Sequence, residues 1–264
     1  MAIRVCLAGA SGGVGKCLVR GIARDKDFAL DSAIARKVAG RDAGEIAGME
    51  RLGISIGADI AAALDRKPDV LIDYTHPSAI KQHVLMAIER KIPVVIGTSG
   101  LTGADRDEID AKAKAAGVGV ATGNFAITAA LMQHFALLAA KYVPHWEVLE
   151  YCKAEKPDAP SGTATELAEH LSAVRRPAYA LNPETMIGPK GARGADIAGT
   201  RVHAVRLPGH SAACEAIFGL PGERLVIRHD MQTNDEIFVT GTLLAARKVR
   251  EMKGLARGLD KLMF

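Results

Sequence analysis

Residues 3–17, IRVCLAGASGGVGKC, decide the fold. A short run of β-branched and aliphatic residues, 3–8, stops at glycine and reads as a buried strand. A helical pattern follows from about Gly13 to Arg24, with Val14, Leu18, Val19 and Ile22 on one face. Between the two, Gly9, Gly12 and Gly15 have GxxGxxG spacing, a variant of the dinucleotide fingerprint. Gly9 suits a tight turn, Gly12 lets backbone approach a pyrophosphate, and Gly15 permits close helix–strand packing. The loop and first helical turn, including Ala10, Ser11, Gly13 and Val14, offer N–H groups and a positive dipole end to phosphates. A glycine loop alone also fits an ordinary tight turn; strand, loop and helix in this order favour a nucleotide.

Outward from this stretch, the pattern repeats. Residues 28–35, 69–74, 92–97 and 118–123 read as strands, and 77–90 and 104–117 as helices, with 36–52 a polar loop. Continuous apolar strands alternating with helices imply a parallel sheet covered on both faces, a doubly wound Rossmann-type α/β domain. The end of its second strand should read the adenosine ribose, where an acidic residue would bind the 2′-hydroxyl of NAD. Arg36 and Lys37 stand there instead. Two cations suit a 2′-phosphate and hence NADPH, with NADH the other candidate; a solvated basic loop tip is the plainer alternative. Further cofactor contacts are expected where the later strands end: Tyr74 and Thr75, then Gly97, Thr98 and Ser99, then Gly123, Asn124 and Phe125.

The texture changes after Asn124. An apolar helix (127–140) leads to a strand-like run, 145–152, then a proline-rich polar loop and a helix from near Thr163. Residues 172–200, rich in Gly, Pro and Arg, read as containing a mobile loop. Strand-like runs at 201–207, 214–220 and 223–230 suggest an antiparallel or mixed sheet in a smaller α+β domain. Residues 237–252 have helical periodicity and would return to the first domain. The expected division is therefore 1–125 with 235–264 for the dinucleotide, and 126–234 for substrate binding and oligomerisation, with hinges near 124–126 and 234–237.

Composition narrows the function. The 264 residues are 48% hydrophobic and 24% charged, as in an ordinary globular protein. A net charge of +4 without a basic stripe gives no case for nucleic acid, and no apolar stretch reaches the length of a membrane span. Cys6, Cys17, Cys152 and Cys214 are scattered without metal-ligand spacing, so no metal is expected. Reduced thiols and the lack of a signal-peptide pattern point to the cytoplasm.

The segment EYCKAEKPDAPSGTATELA (150–168) carries the most chemistry. Lys156 precedes Ser161, Gly162 and Thr163, which open a helix and could form an anion nest for the carboxylate of a small substrate. A capped helix behind a proline loop, with a solvated lysine, is the other reading.

Here the sequence resembles the 4-hydroxy-tetrahydrodipicolinate reductase family, formerly dihydrodipicolinate reductase, of lysine and diaminopimelate biosynthesis. The resemblance runs through GASGGVG, LIDYT (71–75), VIGTSG (95–100), GNFAI (123–127), KPDAPSGTA (156–164), GTRVHAVRLPG (199–209), EAIFG (215–219), ERLVIRHD (223–230) and GTLLAARKV (241–249). DAPSGTA and VRLPG are the specific strings; the glycine loop is not. The resemblance implies a two-domain homotetramer that reduces a cyclic conjugated imine dicarboxylate with NAD(P)H. It implies Lys156 as the catalytic lysine, Ser161, Gly162 and Thr163 as the carboxylate loop, and Arg206 beside it.

One departure bears on the chemistry. The family has a His-His pair where this chain has Cys152 and Lys153. The first histidine is the family's proposed proton donor, and an unperturbed thiol, with a pKa of about 8.5, is a softer substitute. Lys153 would add a cation for an anionic substrate beside Lys156. Ala126 and Thr128 also depart from the family's loop. Three readings stay open: the family reaction with Lys156, Lys153 or water as acid, a related imine or oxo-acid substrate, or a nucleotide-binding paralogue of low activity. His145 and His210 are further proton sources, though each also reads as a surface or strand-edge residue.

Overall fold

The computed structural model describes residues 1–232 and 235–264. The chain forms two compact units, Met1–Ile127 with Asp235–Phe264, and Thr128–Asn234. Residue 234, where the second hinge was expected to begin, lies outside the described residues.

The first unit opens with β1 (Ile3–Ala8), α1 (Gly13–Arg24) and β2 (Phe28–Ile34). It continues through α2 (Ala43–Ile46), β3 (Ile56–Gly57), α3 (Ile60–Asp65), β4 (Val70–Asp73), α4 (Pro77–Glu89), β5 (Val94–Ile96), α5 (Gly103–Ala116) and β6 (Gly119–Thr122). α6 (Ile127–Ala140) carries the chain into the second unit, with β7 (His145–Cys152), α7 (Gly162–Val174), β8 (Ala195–Ile197), β9 (Thr200–Arg206), β10 (Ala212–Leu220) and β11 (Glu223–Met231). α8 (Ile237–Lys248), β12 (Gly254–Arg257) and α9 (Asp260–Met263) belong to the first unit again.

The first unit is built on a seven-stranded sheet in the order β12-β6-β5-β4-β1-β2-β3. Every pairing in it is parallel. Val5, Cys6, Leu7 and Ala8 are all fully buried, which is why β1 reads as an unbroken apolar run and not an alternating one. α1 buries Leu18, Val19 and Ile22 on one stripe. Leu71, Ile80, Val84, Val94, Ile109 and Val120 meet in one core cluster, each buried large aliphatic contributing about 1.5–3 kcal/mol. Local signals set the helix ends. α4 starts with Pro77 at its first turn and His76 accepting from the Ser78 amide. α5 starts with a Thr102/Asp105 capping box and stops at Gly117, φ +71°.

The second unit has a five-stranded mixed sheet, order β11-β10-β7-β9-β8. β7 runs parallel to β9 and antiparallel to β10, and β8 and β11 pair antiparallel at the edges. β7 alternates strictly, burying Trp146, Val148, Glu150 and Cys152 on one face. Val148, Leu167, Leu171 and Phe218 join Trp146 in the core there.

Several sequence expectations need correction. Residues 36–52 are not all loop: a 3-10 turn (Arg36–Val38) and α2 lie within them. The span 172–200 includes the end of α7, two 3-10 turns and β8, which β9 recruits as an edge strand. The C-terminal helix stops at Lys248 instead of 252. A 3-10 turn then sets the Val249 carbonyl against Gly119, where a side chain would fall 2.1 Å from it. That turn feeds β12, a strand the short, half-polar GLAR run gives no pattern for. Among the described residues no helix is long and apolar enough to cross a membrane.

Candidate active site

The glycine loop is built from backbone alone. Gly9 turns at φ +88°, and a side chain there would fall 2.2 Å from the Tyr74 carbonyl oxygen. A methyl on Gly15 would fall 2.0 Å from the Gly9 carbonyl oxygen and 2.9 Å from Ala10 Cα. The expectation of helix–strand packing at Gly15 is therefore corrected: the helix packs on the turn of the loop itself. Gly12 is the N-cap of α1 and supplies no side-chain acceptor, while the Asp235 carboxylate lies against Gly13 in the first turn. Packed glycines below an uncapped helix start make a cradle that fits a pyrophosphate.

A cleft of about 570 Å³ opens beside this loop. Gly9, Ser11, Gly12, Arg36, Lys37, Tyr74 and Thr75 line it, so seven expected contacts meet at one place. The wall also holds His76, Gln82 and His83 from the start and outer turn of α4, which the sequence reading did not assign. Ala10, Gly13, Val14 and Gly15 do not line the cleft; Ala10 is buried, and its amide donates to the Ile34 carbonyl at 3.2 Å. Arg36 and Lys37 are exposed on the 3-10 turn that follows β2.

The other expected cofactor contacts lie along the carboxyl ends of β4, β5 and β6. The sheet order places these loops in a row with the glycine loop. The Tyr74 ring lies flat against Gly97, and its hydroxyl sits 2.7 Å from Thr242 Oγ1. Burial pushes that phenol well above its ordinary pKa, so it stays a neutral hydroxyl. The Thr98 hydroxyl donates to Asp73, and the Asn124 side-chain oxygen accepts from the Ala126 amide at 2.9 Å. Phe125 is 1% exposed and anchors the core with its ring, so only its backbone is left to meet a ligand.

The second unit holds the acid loop. Lys156 is paired with Asp158, whose carboxyl that lysine holds below its ordinary range. Ser161 caps α7, accepting from the Ala164 amide at 3.4 Å. The expected nest of Ser161, Gly162 and Thr163 amides is corrected in one member. The Ser161 N–H donates to both oxygens of Glu150, at 2.9 and 3.0 Å. Space is open above Gly162, where an added side chain would meet nothing within 4 Å.

Glu150 is the residue the sequence reading missed. Its side chain is 1% exposed, and it binds Arg206 Nη2 at 2.6 Å as well as the Ser161 amide. Arg206 also donates to the Asp158 carbonyl. It is therefore a strut between β9 and the acid loop before it is anything else. Among the described residues its buried Nε–H has no partner, at a cost of about 1–3 kcal/mol, and it is a donor suited to a carboxylate. Cys152 lies on the same buried face of β7, opposite Arg206 in the sheet, and is 3% exposed. Burial, then the Glu150 carboxylate, push its thiol above the ordinary value, which makes it a weak acid at neutral pH. Lys153 is exposed. The Nδ1 of His145 lies 2.7 Å from the Ala178 carbonyl, and the ring of His210 packs 5.3 Å from that of Tyr151.

The chain was compared with known proteins. The family profile described as "Dihydrodipicolinate reductase, N-terminus" matches residues 3–125, and the one described as "Dihydrodipicolinate reductase, C-terminus" matches 128–263. The 4-hydroxy-tetrahydrodipicolinate reductase of Moorella thermoacetica is 40% identical, over 99% of this chain and 98% of that protein. That of Bacillus cereus is 38% identical, over 99% and 98%. A solved dipicolinate-bound dihydrodipicolinate reductase from Paenisporosarcina sp. TG-14 superposes with TM-score 0.85 at 32% identity, covering 99% of each chain. An amine dehydrogenase from Mycobacterium smegmatis, at 15% identity and TM-score 0.66 over 98% of this chain and 96% of that one, shares the fold alone.

Proposed function

Since this chain belongs to the dihydrodipicolinate reductase family, we propose that it reduces 4-hydroxy-tetrahydrodipicolinate with NADPH, using Lys156 as its acid. It is an NAD(P)H-dependent oxidoreductase of lysine and diaminopimelate biosynthesis. The finer assignments that follow are our reading of its residues.

The first unit, Met1–Ile127 with Asp235–Phe264, binds the dinucleotide. The amides at the start of α1 bind the pyrophosphate: the N-cap Gly12 has no side chain to occupy them, although the Asp235 carboxylate lies against Gly13 in the first turn. Arg36 and Lys37 favour NADPH over NADH through the 2′-phosphate, in a cleft whose ribose-reading position has no carboxylate. Thr98, Asn124 and the backbone of Gly97 and Gly123 receive the nicotinamide end. When bound, the reduced nicotinamide supplies a hydride.

The second unit, Thr128–Asn234, binds the acid and supplies the oligomer contacts, which we take to form a homotetramer in the cytoplasm. Gly162 and Thr163 at the start of α7, with the Arg206 Nε–H, hold a substrate carboxylate. Lys153 adds charge at the rim. Lys156 carries three donors and commits one to Asp158, leaving the others for substrate. Its ammonium stabilises negative charge that develops on the substrate as hydride adds, and gives up a proton there. Partial exposure lets solvent return that proton. Cys152, at the family's first histidine position, packs as a neutral thiol and transfers none. The observation that carries this assignment is the contrast between a 3% exposed thiol with a raised pKa and a partly exposed lysine two residues from the carboxylate that orients it.

The test is oxidation of NADPH by the purified chain, with 4-hydroxy-tetrahydrodipicolinate generated in place. Turnover is expected. Tight NADPH binding without turnover would overturn the substrate assignment and leave the cofactor assignment standing. A second reading, a related imine or oxo acid as substrate, is favoured by Cys152 and Lys153 alone. A panel of such acids that turn over faster would establish it.

A further inference from the structure

Asp73 ends β4 and is fully buried. Its Oδ1 accepts from the Thr75 amide at 2.8 Å, the Thr75 hydroxyl at 2.6 Å and the Thr98 hydroxyl at 3.2 Å. Its Oδ2 lies 2.7 Å from Nδ1 of His83. Its main-chain carbonyl accepts from the Gly97 amide at 3.0 Å and lies 3.3 Å from the Thr98 hydroxyl. Burying a carboxylate costs several kcal/mol before its partners offset it, and an apolar residue would fill the space more cheaply. The groups around it come from the ends of two neighbouring strands, β4 and β5, and from His83 on α4.

A threonine hydroxyl has one proton and two lone pairs. A carboxylate only accepts, so Asp73 draws the proton of each hydroxyl toward itself. With its proton so committed, the Oγ1 of each of Thr75 and Thr98 can take part in a further hydrogen bond only as an acceptor. Both lie at the carboxyl ends of parallel strands, where ligands of such sheets bind, and Thr75 lines the cofactor cleft.

We infer that Asp73 is a positioning residue that fixes Thr75 and Thr98 as acceptors for the N–H2 group of the nicotinamide carboxamide, and thereby selects against a dinucleotide bearing a carboxylate at that position. The inference rests on the reading that the glycine-loop unit holds a pyridine nucleotide. A carboxylate in place of the carboxamide has no N–H to offer and would meet hydroxyl lone pairs, so the site discriminates by polarity as well as by shape.

The test is calorimetric titration of the full chain with NADP+ and with its nicotinic-acid counterpart, in which a carboxylate replaces the carboxamide. The wild type should prefer NADP+ by about tenfold or more. Asp73→Asn and Thr98→Val should each shrink that preference to about threefold or less. Thr98→Val leaves the charge at residue 73 untouched, so it separates hydroxyl polarity from simple charge repulsion, and it decides alone if Asp73→Asn does not fold. A merely structural role for Asp73 would weaken both ligands alike and keep their ratio. Retention of the wild-type ratio in Thr98→Val overturns the inference, whatever Asp73→Asn does. A wild type that binds neither dinucleotide removes the nucleotide reading itself, which is a different failure from an unchanged ratio.

Discussion

The two loops assigned to anions are built in opposite ways. Residues 9–15 form a main-chain cradle, its shape set by Gly9 and Gly15, at which a side chain would fall within 2.2 Å of backbone. Residues 150–163 with Arg206 carry Lys153, Lys156 and Arg206 against Glu150, Glu155 and Asp158, so the acid loop has no net charge. Arg206 and the Ser161 amide are held by Glu150, and Lys156 by Asp158. A cradle of amides is complete before its ligand arrives. A compensated charge cluster gains its selectivity from which donors remain when the internal pairs are satisfied. The lesson is that a motif rich in cations does not by itself make a positive site.

The most severe break in this contrast is expected at Glu150. Glu150→Ala leaves Arg206 and the Ser161 amide without their shared acceptor, and removing one member of a buried pair costs about 3–5 kcal/mol. Chemical denaturation should show that loss, together with a raised KM for substrate and an unaltered NADPH affinity. Lys156→Ala should lower kcat about 100-fold, equivalent to about 2.7 kcal/mol, again with NADPH binding intact. Gly15→Ala should do the reverse. The added methyl collides with the Gly9 carbonyl, costing about 1–3 kcal/mol of stability and weakening NADPH while sparing the acid loop.

A smaller effect sharpens the contrast within the second unit. Burial pushes the Glu147 carboxyl up, but His203 and Arg193 outweigh it and hold it below its ordinary 4.5. A depressed acid favours the folded state above its unfolded pKa, and that contribution is lost as pH falls through the folded value. Below pH about 4.5 the wild type should therefore lose thermal stability faster than Glu147→Gln, whose residue 147 does not titrate. Equal acid slopes in the two proteins would show that this pair, unlike the one at Glu150, contributes nothing to the fold.

Much of the first unit is legible in the sequence because its chemistry is local. Glycine spacing, apolar runs and the cations after β2 are all read within a few residues of each other. β12 was not legible, since four residues become a strand only by pairing with the edge of β6. β3 and α3 escaped notice because a two-residue strand and a six-residue helix carry too little periodicity to stand out. The burial of the Phe125 ring was not legible, because its neighbours in the loop are polar while the ring is drawn into the core. In the second unit, a signal for Glu150 was present and passed over. The alternation of HWEVLEYC puts it in the same row as Trp146 and Val148, and a carboxylate in an apolar row requires a partner. Asp73 gave the same signal, as the acidic end of an otherwise apolar strand. The partners themselves, Arg206 and His83, could not be read: one lies 56 residues away along the chain and the other on the next helix.

Side-by-side NADPH oxidation rates for Cys152→Ala and Lys156→Ala, each with saturating 4-hydroxy-tetrahydrodipicolinate, test the proton assignment most directly. The expected result is a cysteine variant within about threefold of the wild type and a lysine variant slower by about two orders of magnitude. Collapse of the rate in Cys152→Ala, with Lys156→Ala near wild type, would contradict the account and return the proton to the buried thiol.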